Sequence, residues 1–185
     1  IMLLILHKHH PKRTFWWRFG VVLPAGYLVY CSINKININH HVTQVLEAKE
    51  IKHDRFFTTP APLQNWLWFV AVEHDDGFSI GYCSIFDKRK DISFEFFPKN
   101  KSLLDPISED PDVKRLLVFS QGLYTAEQWH DTIVFNDLRF GQVQGWKEPR
   151  EKFAFHYYLN FPDANDLVVQ RGRFAGWNAD SFETF

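Results

Sequence analysis

The side chains able to move protons or hold ligands are few and scattered along this chain. His7, His9 and His10 make an HxHH cluster of the right donor type for a transition metal. They sit in a basic run without the carboxylate or thiolate partners of a defined site, however, and a solvated loop explains them. His40, His41 and His53 share no simple helical face, so surface histidines are expected there. His74-Asp75-Asp76 sets an imidazole beside two carboxylates, as acid-base chemistry requires, yet a tight hairpin needs the same residues in front of Gly77. Trp129-His130-Asp131-Thr132 pairs His130 with a carboxylate, but neighbours on a strand point to opposite faces, which favours a turn.

Asp137 and Arg139 lie two apart in Asn136-Asp-Leu-Arg-Phe-Gly141, hence on one face of a strand, where they can pair or hold an anionic group. Arg171 and Arg173 repeat the spacing, and His156 sits within a further alternating strand. The candidate ligand-binding set is therefore Asp137, Arg139, Arg171, Arg173, His130 and His156. The competing reading makes them buried structural pairs or solvent-facing charges. No catalytic residue and no metal ligand is assigned, because the chain has no Gly-rich phosphate loop, nucleophile elbow, HExxH or CxxC.

The element that must position these groups comes first in the chain. Residues 15–33 carry a single charge, Arg18, and follow a basic run. As a helix they would reach roughly 28 Å, close to the hydrocarbon thickness of a bilayer. Trp16 and Trp17 at one end, with Tyr27 and Tyr30 towards the other, suit the two interfaces, and Arg18 is near enough to snorkel. Pro24 lies between Gly20 and Gly26, where a span tolerates a bend. A buried or interface-lying helix of a soluble protein is the alternative. Ile1-Met-Leu-Leu-Ile-Leu6 reads as the tail of an earlier span, so residues 7–14 become a basic cytoplasmic loop of a larger multi-span protein. Lys8, Lys12, Arg13 and Arg18 precede the span and only Lys35 closely follows it, which places the remainder outside the cytoplasm. Cys31 and Cys83 suggest no disulfide framework.

The 21 basic and 22 acidic residues balance, leaving no electrostatic footprint for nucleic acid. Nineteen Phe, seven Trp and six Tyr supply a large apolar payload for one soluble domain over residues 58–185. Between span and domain, residues 34–57 are expected to form a juxtamembrane amphipathic helix, with Val42, Val45 and Leu46 on its apolar face, and a linker. Thr58-Thr-Pro-Ala-Pro62 is expected to break any regular element. Alternation then predicts a meander over 66–72, 78–86 and 92–96, a strand pair over 124–131 and 132–140, and a strand at 153–159. Asp110-Pro-Asp112 and Gly122 bracket a helix with Val113, Leu116, Leu117 and Ser120 on one face. The expected fold is α+β, a mainly antiparallel sheet with one or two packing helices, preceded by a transmembrane helix.

Thr59-Pro-Ala-Pro-Leu-Gln-Asn-Trp-Leu-Trp68, Asp76-Gly-Phe-Ser-Ile-Gly-Tyr-Cys-Ser-Ile-Phe-Asp87, Phe119-Ser-Gln-Gly122 and Asn136-Asp-Leu-Arg-Phe-Gly-Gln142 carry a family resemblance. With these motifs the chain resembles the C-terminal portion of long bacterial YdjM-like proteins, the LexA-regulated inner-membrane metal-dependent hydrolases. The resemblance implies an accessory extracytoplasmic domain, in the periplasm, of a membrane-bound hydrolase. It carries no catalytic residue, because the His- and Asp-bearing motif behind the family's hydrolase assignment belongs to an N-terminal membrane portion that this chain lacks. No cofactor is expected in this piece, and a divalent metal belongs to the parent protein. The expected partners are the lipid bilayer, the upstream membrane portion and, through exposed sheet edges, a second copy of the chain. A non-enzymatic partner-binding or structural envelope domain is the alternative.

Overall fold

Residue 34 begins a stripe at 34, 38, 42, 45 and 46 that repeats at helical spacing, and in the computed structural model every position on it is buried. The structure describes residues 13–62, 64–87 and 91–159, together with the backbone of strand 168–171. The stripe belongs to α1, Arg13–Ala48, a single 36-residue helix that passes through Pro24. The expected span at 15–33 and the juxtamembrane helix expected within 34–57 are thus one rod, because packing of Ile38 and Val42 holds the asparagine-rich segment around residues 34–39 helical against its weak propensity. The helix ends in a Schellman turn. Ile51 N–H donates to Leu46 O at 3.0 Å, Glu50 N–H to Glu47 O at 3.1 Å, and Glu50 takes the left-handed conformation with φ of 52°.

The first sheet is a four-stranded antiparallel meander of β1 (Arg55–Pro60), β2 (Leu67–Glu73), β3 (Gly77–Ser84) and β4 (Phe94–Pro98), in that order. Strand β1 replaces the break expected at 58–62. Pro60 closes an edge strand, where its missing N–H is tolerated. Alternation sends Trp68, Val70, Val72 and Cys83 to the α1 stripe, with Ile92 completing that core. Phe69, Ala71, Phe78 and Ile80 leave from the other face and meet Leu138 and Phe153 of the second sheet. Phe86 lies past the end of β3, exposed, and not on the strand face expected for it.

The second sheet is also antiparallel, with β5 (Tyr124–Trp129), β6 (Thr132–Gln142), β7 (Phe153–Leu159) and β8 (Val168–Arg171) in that order. Its register slips between Asp137 and Gln142, where Gly141 has φ of 67° and a Cβ would stand 3.4 Å from the Phe69 ring. One face buries Tyr124, Ala126, Ile133, Phe135 and Leu159 under a 3-10 helix (Lys101–Ile107) and α2 (Pro111–Phe119). The Asp110 carboxylate caps α2 as the sequence requires, accepting from the N–H of Asp112 at 2.8 Å and of Val113 at 3.4 Å. The fold is therefore α+β and mainly antiparallel, with an N-terminal apolar helix and a second sheet serving as the second layer.

Candidate functional site

Asp137 and Arg139 emerge on one face of β6, as their spacing requires, and pair there. The Asp137 carboxylate, fully buried, accepts from Arg139 Nε at 3.0 Å, Nη2 at 2.6 Å and the Arg139 backbone N–H at 3.1 Å. The guanidinium lies over the Phe119 ring at 4.2 Å and the Phe140 ring at 5.3 Å. The hydrogen bond to Asp137 raises the guanidinium pKa further, while burial and the Asp137 charge push the Tyr157 phenol up. An anionic ligand would have to displace an internal carboxylate, so this geometry joins the end of α2 to β6.

His156 stands apart from that pair. Cross-strand register aligns Thr125, Asn136, His156 and Arg171 in a row across β5, β6, β7 and β8. Asn136 Nδ2 donates to Thr125 Oγ1 at 3.2 Å and Glu127 Oε1 at 3.0 Å. The buried His156 donates from Nδ1 to Phe153 O at 3.0 Å, which fixes the orientation of its ring. The row opens into a cleft of about 390 Å³, bounded by Glu127, Trp129, Asn136, His156 and Tyr158 and, opposite, by Phe96, Pro98 and residues 150–153. That size suits a small ligand, and a carboxylate, an amide and a fixed imidazole can orient a polar group there. Glu127, Thr125 and Asn136 were not among the expected site residues. Their signal was the i, i+2 spacing of Thr125 and Glu127, which puts two polar side chains on one face of β5.

The remaining candidates lie elsewhere. His130 occupies the β5–β6 turn with φ of 51°, its ring packed against Trp129 at 4.7 Å. His74 donates from Nδ1 to Lys52 O and shares a hydrogen bond between Nε2 and the Ser79 hydroxyl, both at 2.8 Å, and so fastens the hairpin. Arg171 has a register position opposite His156. Arg173 and His7, His9 and His10 lie outside the described residues. Among the described residues, no three His, Cys, Asp or Glu side chains gather in a metal-holding group.

Two apolar surfaces are also bare. Along α2, Val118 is 79% and Phe119 50% exposed over an open groove of about 710 Å³ that reaches Tyr157. Along α1, Phe15, Trp17, Val22, Leu23, Leu28, Val29 and Ile33 are all exposed. This helix near the N-terminus is long and apolar enough to cross a membrane, with a mean hydropathy of 1.3 over its apolar part. Neither the protein-family models, nor the curated proteins, nor the solved structures give a match to the chain.

Proposed function

We propose that residues 15–33 cross the inner membrane of a bacterium and that the two-sheet body is a periplasmic accessory domain of a membrane-bound, metal-dependent hydrolase, without catalysis of its own. One observation carries this reading. The same helix is bare over its first half and a full member of the domain core over its second, so a body anchored through it is held at fixed height and orientation above the bilayer. Lys8, Lys12 and Arg13 before the span, with Arg18 at its start, support the outward orientation, and the resemblance supplies the hydrolase. The cleft beside His156 then offers a polar group of an envelope or lipid-linked substrate a fixed imidazole and a carboxylate. Severing residues 34–185 from the parent membrane protein tests it. Positioning predicts a higher KM with kcat nearly unchanged, whereas unchanged KM and kcat would contradict the reading.

The bare face of α2 favours a second reading, a partner-binding envelope domain that docks a helix or a second copy on Val118 and Phe119. Val118→Ser with Phe119→Ser would then abolish self-association or co-purification and leave KM untouched.

A further inference from the structure

Where α1 passes from bare to buried, the first sheet presents its own end. Asn34 Nδ2 donates to Asn65 O at 3.3 Å, so the loop between β1 and β2 is fixed to the helix one residue beyond the span. Trp66 follows at once, 51% exposed. Its carbonyl accepts from Ile85 N–H at 2.9 Å, which brings the turn after β3, with Phe86 70% exposed, to the same edge. That turn is locked outward, since Ser84 N–H donates to Asp87 Oδ2 at 2.8 Å and Phe86 N–H to Ser84 Oγ at 3.2 Å. Two large aromatics are therefore exposed at the end of the first sheet that is tied to Asn34 through Asn65 and Trp66.

We propose that Trp66 and Phe86 form an aromatic rim seated in the headgroup layer of the bilayer that α1 crosses. The inference rests on the spanning reading of α1 and adds a second, peripheral contact between domain and lipid. The heights agree. From Tyr30 to Asn34 the helix rises about 6 Å, and the polar layer on each side of the hydrocarbon is roughly 5–7 Å deep. A rim tied to Asn34 thus falls within the layer where amphipathic and aromatic rings collect. Such seating removes from water two rings that the fold leaves uncovered and limits tilting of the body about α1.

The test uses the full chain, with Cys31→Ala, in phosphatidylethanolamine and phosphatidylglycerol vesicles. Nitroxide labels are placed singly at Phe86→Cys, at Leu23→Cys within the span and at Asp75→Cys in the turn at the opposite end of β2 and β3. Relaxation by a water-soluble nickel chelate is then compared with relaxation by oxygen. The rim requires nickel accessibility at 86 to be several-fold below that at 75, with 23 fully protected. Equal accessibility at 86 and 75 with 23 protected would overturn the rim and leave the span standing. Accessibility at 23 as well would overturn both.

Discussion

Asn34 Nδ2 and the carbonyl oxygen of Asn65 lie 3.3 Å apart, and their bond marks the height at which α1 stops being a bare rod and becomes part of a folded body. Below it most of the large apolar side chains are exposed. Above it Ile38, Val42, Val45 and Leu46 pack on β2 and β3. The division gives the two halves of one helix opposite sensitivities to substitution.

Leu46→Ala should destabilise the domain by about 2–5 kcal/mol, the range for opening a cavity under a fully buried leucine. Leu23→Ala, on the bare half, should leave domain stability in detergent within about 0.5 kcal/mol. Urea unfolding followed by near-ultraviolet circular dichroism measures both. Equal effects would refute the division.

The Asp137–Arg139 pair should behave as structure. Arg139→Ala strands a fully buried carboxylate and should cost about 3–5 kcal/mol. A ligand-binding arginine would instead be nearly neutral for folding and matter only when ligand is added.

Acid should loosen the junction of the sheets. Burial works to raise the Glu73 carboxyl, but the hydrogen bonds and charges of Arg55 and Lys99 outweigh it and hold the group below its ordinary 4.5. The stability this contributes is fully present above 4.5 and is lost as pH falls towards the lowered value. Lys99 also lies over the Tyr124 ring, so the loss reaches the second sheet. Glu73→Gln should flatten the fall of stability as pH drops below 4.5, and an unchanged acid slope would exclude Glu73 as its source.

The two thiols should differ. Burial, with the Asp87 charge adding to it, pushes the Cys83 thiol up to about 12, and the side chain faces the α1 core. At pH 8 only about one molecule in ten thousand then carries the thiolate. In folded Cys31→Ala protein, maleimide should not react until denaturant is added, and stoichiometric labelling of the native state would contradict this burial.

How legible all this was depends on the range of the interactions involved. Helix α2 announces itself through Asp110, Pro111 and Gly122, because caps are local. The common face of Asp137 and Arg139 follows from strand periodicity alone. Strand β1 was hidden, since Thr58-Thr-Pro reads as a breaker unless Pro60 is known to end an edge strand. The continuity of α1 was hidden by its asparagines, whose poor propensity is overcome by burial against β2. Thr125 and Asn136 face each other across a short hairpin, but alignment of His156 with them depends on the β6–β7 register, which slips between Asp137 and Gln142 and which no local pattern encodes.

The account stands on α1 crossing the bilayer with the two sheets outside the cytoplasm. The direct measurement places Asp75→Cys, an exposed turn position, in the Cys31→Ala chain, with Cys83 buried and silent. Spheroplasts are then treated with a membrane-impermeant maleimide. Labelling of intact spheroplasts to the same extent as lysed ones is the expected result. Labelling only after lysis, or release of the chain from membranes by alkaline carbonate, would contradict it.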